Sequence, residues 1–236
     1  MKEMEMKEVI STGNPEIDKK LGGGIPKGSL TLVEGQSDSG KSVLVQQMSW
    51  GSLHAGFNVT FFTTENTVKS LVRQMESLNL DILDFLLLDL FRIYPIQIMK
   101  GKADLERIFR RLLHAVKREQ KRADLIIIDS LTPFVTHTPI EETITFFEEC
   151  KELTNEGLTL ICVIHSYAFS ENMLVRIRSM CDAHLRLRIE EVGDKLLKIL
   201  EVAKIRGADR NTGNIVSFEV EPGWGMRIIP ITKAKA

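Results

Sequence analysis

Cysteine is scarce in this chain, with Cys150, Cys162 and Cys181 the only three in 236 residues. Their odd number and irregular spacing exclude a disulfide framework and a Cys-x-x-Cys metal site, so all three are expected as reduced core thiols. No run of 18 apolar residues occurs, which excludes a membrane-spanning helix. The opening Met-Lys-Glu-Met-Glu-Met-Lys-Glu lacks the apolar stretch of a secretory signal. A cytoplasmic protein is expected, with its first eight residues lacking fixed structure. Neither sign of charge is in excess: 31 basic and 32 acidic residues leave a net charge of −1. That argues against a polyanion binder acting through whole-molecule charge, but leaves room for a local phosphate site. Low-complexity linkers and fixed-period repeats are also missing. One domain over residues 1–236 is therefore expected, long enough to bury roughly 70% of its unfolded surface.

Short continuous apolar runs are present: Leu30 to Val33, Val59 to Thr63, Leu86 to Ile93, Leu125 to Ile128 and Leu158 to Ile164. Such runs predict strands covered on both faces, hence a parallel sheet. Leu105, Ile108, Phe109, Leu112, Leu113 and Val116, and then Ile140, Ile144, Phe147 and Cys150, recur at helical spacing and predict crossover helices. After Cys181 short alternating runs appear (His184 to Ile189, Leu196 to Ala203, Ile215 to Val220, Met226 to Ile229), punctuated by Gly193, Gly207, Gly213 and Pro222-Gly223. These predict antiparallel strands added to the same sheet. The fold class is α/β. Lys100 to Arg122 holds nine basic and three acidic residues, but most of its cations avoid the apolar stripe, so they read as the solvated face of one helix.

Gly35-Gln36-Ser37-Asp38-Ser39-Gly40-Lys41-Ser42 satisfies G-x-x-x-x-G-K-[ST] between a predicted strand and a helical run that opens with Val43. In such a loop the backbone N–H groups and the helix N-terminus face phosphate oxygens, and Lys41 neutralises β/γ charge. The Ser42 hydroxyl would meet Mg²⁺. A second, acidic contact to the metal is expected at the end of a buried strand, and Leu125-Ile-Ile-Ile128-Asp129 supplies it through Asp129. The pattern predicts binding of ATP with Mg²⁺.

The loop lies within a longer signature: Ser11-Thr12-Gly13-Asn-Pro15-Glu-Ile17-Asp18, Leu21-Gly-Gly-Gly-Ile25-Pro26-Lys-Gly28 and Leu32-Val33-Glu-Gly35, then Thr63-Thr64-Glu65-Asn66 and Lys204-Ile-Arg206-Gly207-Ala-Asp-Arg210. Together these resemble the RecA/KaiC ATPases across residues 9 to 230. The loop Gln36-Ser-Asp38-Ser39 and Asp129-Ser130-Leu131-Thr132 look most like the archaellum family FlaH (ArlH). The resemblance implies a largely parallel sheet flanked by helices with antiparallel C-terminal strands. It also implies a homo-oligomeric ring, with six subunits as the expected number, and work alongside the motor ATPase FlaI and the membrane protein FlaJ. The protein would then lie at the cytoplasmic face of the membrane through those partners.

By the same resemblance Glu65 would orient the attacking water. Two adjacent acids are usual at that position, and Thr64 replaces one, so turnover is expected to be slow or absent. Glu65 is also compatible with a plain role near a helix N-cap. His165 would sense the γ-phosphate, or serve as a hydrogen-bonded core residue. Lys204 and Arg206 would reach the nucleotide of a neighbouring subunit, the bland alternative being a solvated strand face. Two other functions fit the superfamily, a DNA-dependent ATPase of the recombinase type and a KaiC-like signalling phosphotransferase. Neutral charge and the lack of any basic residue from Tyr167 to Val175, before Arg176 and Arg178, count against nucleic acid, and the phosphotransferase mechanism uses paired domains.

Overall fold

The computed structural model describes residues 9–98, 102–192, 195–207 and 215–229. The first eight residues, Gly193, Gly213 and Arg210 lie outside them. In chain order the elements are β1 (Val9–Ile10), α1 (Pro15–Lys20), β2 (Ile25–Pro26), β3 (Leu30–Gly35), α2 (Lys41–His54), β4 (Val59–Thr63), α3 (Val68–Ser77), α4 (Leu83–Leu87) and β5 (Phe91–Pro95). They continue with α5 (Lys102–Glu119), β6 (Leu125–Asp129), α6 (Thr132–Val135), α7 (Ile140–Asn155), β7 (Thr159–His165), α8 (Glu171–Met180), β8 (Ala183–Val192), β9 (Lys195–Ile205), β10 (Ile215–Glu221) and β11 (Gly225–Ile229).

β1 and β2 form a small ribbon, and the other strands join one sheet in the order β11-β10-β9-β8-β3-β7-β6-β4-β5. From β8 to β5 neighbours pair in parallel, while β9, β10 and β11 are added antiparallel. The apolar runs are continuous because both faces are covered. In β6, Leu125 and Ile127 enter the cluster shared with α2 and α3, whereas Ile126 and Ile128 enter the one shared with α5 and α7. Cys150, Cys162 and Cys181 are buried free thiols on the second side. Along α5, Phe109, Leu112 and Val116 are buried, while Arg107, Arg110, Arg111, Lys117 and Arg118 are exposed. No helix among the described residues is long and apolar enough to cross a membrane.

The run Leu86 to Ile93 departs from expectation. Only Phe91–Pro95 is strand, and Leu83–Leu87 is a short helix. Asp81 Oδ1 accepts from the backbone N–H of Leu83, and the backbone of Leu90 bonds back to Phe85 through Asp89, which sits at φ 58°. A carboxylate at the start and a left-handed residue at the end close a turn of helix that overlaps the beginning of this run, and Asp89 and Arg92 interrupt its apolar residues. Leu87 and Leu88 are consequently on the surface, not between sheet and helices.

Candidate functional site

The parallel register sets the site at the carboxyl ends of four adjacent strands, where open α/β sheets hold ligands. Gly35 at the end of β3 pairs with His165 at the end of β7, and Thr63 at the end of β4 pairs with Asp129 at the end of β6. Glu65 follows Thr63 by two residues. A cleft of about 590 Å³ opens there, and its lining includes Ser37, Asp38, Gly40, Lys41, Ser42, Val43, Glu65 and His165.

Close packing shapes the loop between β3 and α2. A Cβ on Gly35 would lie 2.3 Å from the Leu187 carbonyl oxygen and 2.8 Å from Ser39 Oγ, so no larger residue fits. Gly40 takes φ 94° at the N-cap of α2, with its absent Cβ 3.0 Å from the Phe218 ring. Gln36 ties the loop together: its carbonyl accepts from Lys41 Nζ at 2.6 Å and Ser39 Oγ at 2.8 Å, while its side-chain oxygen accepts from the backbone of Ile189 at 3.3 Å. Lys41 is thus held at the mouth of the α2 N-terminus. Burial pulls its pKa down, against the charges of Asp129, Glu65 and Asp38.

Asp129 is buried, and neither carboxylate oxygen has a hydrogen-bond partner among the described residues. Burial, aided by the Glu65 charge, pushes its pKa up to about 7, with Ser42 and Lys41 pulling the other way. An orphaned buried carboxylate carries a free-energy cost that a cation would remove. No cluster of three or more His, Cys, Asp or Glu able to cage a metal occurs among the described residues. One carboxylate beside one hydroxyl, Asp129 with Ser42, fits a Mg²⁺ that keeps several waters and is shared with phosphates.

Across the cleft, His165 Nε2 lies 3.6 Å from Glu65 Oε1, and Nδ1 lies 3.5 Å from both Ser37 Oγ and Lys41 Nζ. Burial and the Lys41 charge lower the His165 pKa, against Glu65, so the neutral ring is the form present at pH 7. A proton on Nε2 leaves Nδ1 to accept from the two donors it faces. Ser130 Oγ donates to Glu65 Oε1 at 3.4 Å. Thr64, in the place of the second acid, exchanges hydrogen bonds with the Ser130 backbone at 3.1 and 3.2 Å and so fastens the end of β4 to that of β6. Thr67 caps α3 with Ser70 in a capping box, and Glu65 is not part of the cap.

Lys204 and Arg206 are not in this cleft. Register places Lys204 opposite His184, which pairs with Leu32, and Arg206 beside Asp182, next to Leu30 at the start of β3. From Leu30 to Gly35 is about 16 Å of strand. Lys204 Nζ donates to the Arg178 carbonyl at 2.9 Å, and Arg206 approaches Asp182 at 3.8 Å.

Several residues of the site were missed in the sequence. Lys198 on β9 lines the cleft and donates to the Asp38 carbonyl, and Gln74 on α3, Val220 on β10 and the exposed Tyr167 complete the lining. Glu34, one step before Gly35, is fully buried against Arg178 at 2.6 Å, His184 at 3.2 Å and Arg186 at 3.5 Å. Burial would raise its pKa, but His184 and Arg178 overrule it and hold the carboxyl at about 2. Only a charged residue closing an apolar run hints at this in the sequence.

With this geometry in hand, comparison with known proteins gives a consistent result. The family model for the KaiC ATPase matches residues 10–233. The archaeal flagellar ATP-binding protein FlaH of Sulfolobus acidocaldarius is 30% identical over 97% of this chain and 100% of its own length. The protein of the same name from Methanocaldococcus jannaschii is 28% identical over 93% of this chain and 94% of its own. The crystal structure of flagellar accessory protein FlaH from that organism superimposes with a TM-score of 0.82 at 26% identity, covering 94% of this chain and 98% of that one.

Proposed function

The chain belongs to the KaiC-type ATPase family and, within it, to the FlaH group of archaeal flagellar ATP-binding proteins. On that footing we propose that it is a nucleotide-regulated, ring-forming component of the archaellum machinery, with slow or absent ATP hydrolysis. It would act with the motor ATPase FlaI and the membrane protein FlaJ at the cytoplasmic face of the membrane. The observation that supports nucleotide binding is the buried Asp129 carboxylate at the end of β6, within electrostatic reach of Ser42 and Lys41 at the phosphate loop. Lys41 and the α2 N-terminus would bind and orient the phosphates, Ser42 and Asp129 would hold the cation, and Val43 lines the same cleft. Mg²⁺, when bound, supplies charge neutralisation between the phosphate oxygens.

Glu65 lines the cleft, where Ser130 and His165 hold it, and would orient the attacking water. With Thr64 fastening strands instead of supplying a second acid, the arrangement favours a bound-nucleotide state over rapid turnover. Lys204 and Arg206 lie too far from their own phosphate loop to serve it, which favours a head-to-tail contact that brings them to a neighbour's nucleotide. Burial and the adjacent Arg206 charge depress the Lys204 pKa, and an anion placed between the two cations relieves that repulsion.

Steady-state ATPase assays with and without DNA, and with and without FlaI, test this reading. The expected result is low basal turnover with no response to DNA. Brisk turnover stimulated by DNA and suppressed by salt would give the protein to the recombinase class.

A further inference from the structure

The segment from Gln74 to Phe91 contains seven leucines and four acids, Glu76, Asp81, Asp84 and Asp89, and no Lys, Arg or His. The structure divides its apolar residues in two. Along α4 and its caps, Ile82 is buried and Phe85 and Leu86 pack against the core, whereas Leu83, Leu87 and Leu88 are 47%, 84% and 68% exposed. Leu83 and Leu87 are four residues apart and share one face of the helix, and Leu88 extends it. The helix stands beside β5, an edge strand of the sheet. Three neighbouring leucines on a short surface helix make a contiguous apolar patch of the kind that marks an interaction site.

The rim of the patch decides its partner. Asp81, Asp84 and Asp89 are exposed around the leucines. Asp89 pairs with Arg122, but Asp84, between Leu83 and Leu87, has no ion-pair partner among the described residues. An apolar centre with an acidic rim, of which Asp84 has no ion-pair partner among the described residues, complements an amphipathic helix that carries leucine-like residues along one face and Lys or Arg beside them. It repels anionic lipid and an acidic protein alike. We propose that α4 is a docking surface for a basic amphipathic helix of a partner protein. The patch is separate from the nucleotide cleft, so the proposal stands independently of the hydrolysis and ring assignments.

A fluorescein-labelled 16-residue Leu/Lys amphipathic peptide and its Leu/Glu counterpart, titrated against the full chain and followed by anisotropy, test it. The wild type is expected to bind the Leu/Lys peptide at least tenfold more tightly than the Leu/Glu one. That binding should weaken at least tenfold in the Leu87→Ser/Leu88→Ser variant, and again in Asp84→Lys. Both variants change exposed side chains, and an unaltered ATP-induced thermal shift verifies that they are folded. Equal affinity for the two peptides, or affinity unchanged in the variants, overturns the proposal. So does sedimentation showing self-association, with or without ATP, that the leucine variant abolishes, since a second copy of this chain would then occupy the patch.

Discussion

His165 Nε2 lies 3.6 Å from Glu65 Oε1, and the other nitrogen of the same ring lies 3.5 Å from Lys41 Nζ. One imidazole therefore bridges the acid assigned to water and the lysine assigned to phosphate, and it does so uncharged. We infer that a γ-phosphate entering at Lys41 would compete for this bridge and so would reach Glu65 through the ring.

Turnover is accordingly predicted to be slow, below about 1 s⁻¹, the low end of ordinary enzymes. Glu65→Gln should abolish the residual rate and leave ATP affinity within about twofold of wild type. Radiolabelled ATP hydrolysis alongside equilibrium binding measures both. Unchanged turnover in Glu65→Gln would remove Glu65 from the reaction.

Lys41 and Lys198 contribute unequally. Saturation at 100 times the Kd adds about 2.7 kcal/mol of stability, a rise in Tm of several degrees for a domain of this size. Lys41→Ala is predicted to lose most of that rise. Lys198 donates to the Asp38 carbonyl and so holds the loop across the strands. Because that bond holds the loop and not the phosphates, Lys198→Ala should weaken ATP by no more than about tenfold, ~1.4 kcal/mol, without abolishing binding. Differential scanning fluorimetry across an ATP series separates the two.

The buried Asp129 sets a pH dependence. Its folded pKa, about 7, lies above the ordinary 3.8. Between those values the native state keeps a proton that the unfolded chain releases, so nucleotide-free stability falls as pH rises through the interval. Only the ionised form holds a cation, so the Mg²⁺-dependent part of ATP binding should grow from pH 6 to pH 8. Asp129→Asn removes the buried charge. It is predicted to raise the nucleotide-free Tm at pH 8 by at least about 2 °C, the shift given by ~1 kcal/mol, while Mg²⁺ adds nothing to its ATP response. A full Mg²⁺ effect in the variant would contradict the metal assignment.

What could be read from the sequence divides along physical lines. The phosphate loop was legible because its glycines answer to local constraints, a left-handed φ at Gly40 and a carbonyl pressed against Gly35. Asp129 and His165 were legible because buried parallel strands announce themselves as apolar runs and ligands gather at their carboxyl ends. Lys198 was not, since it reaches Asp38 through the antiparallel pairing of β9 with β8, and nothing local records a contact across 160 positions. Glu34 and Arg178, 144 positions apart, pair for the same reason. The run ending at Ile93 misled because its crowded leucines leave no clear period, and Asp81 and Asp89 decided the turn of helix that overlaps its start.

We propose that ATP joins subunits through Lys204 and Arg206, cations set back along the strands from the loop that binds it. Multi-angle light scattering after size exclusion, with and without Mg·ATP, tests it most directly on the wild type and on Lys204→Ala/Arg206→Ala. The prediction is a monomer that becomes a closed ring of about six subunits on ATP addition, and a double variant that keeps the ATP-induced rise in Tm yet stays monomeric. A double variant that assembles on ATP as the wild type does, or a wild type that remains monomeric at saturating Mg·ATP, would contradict it.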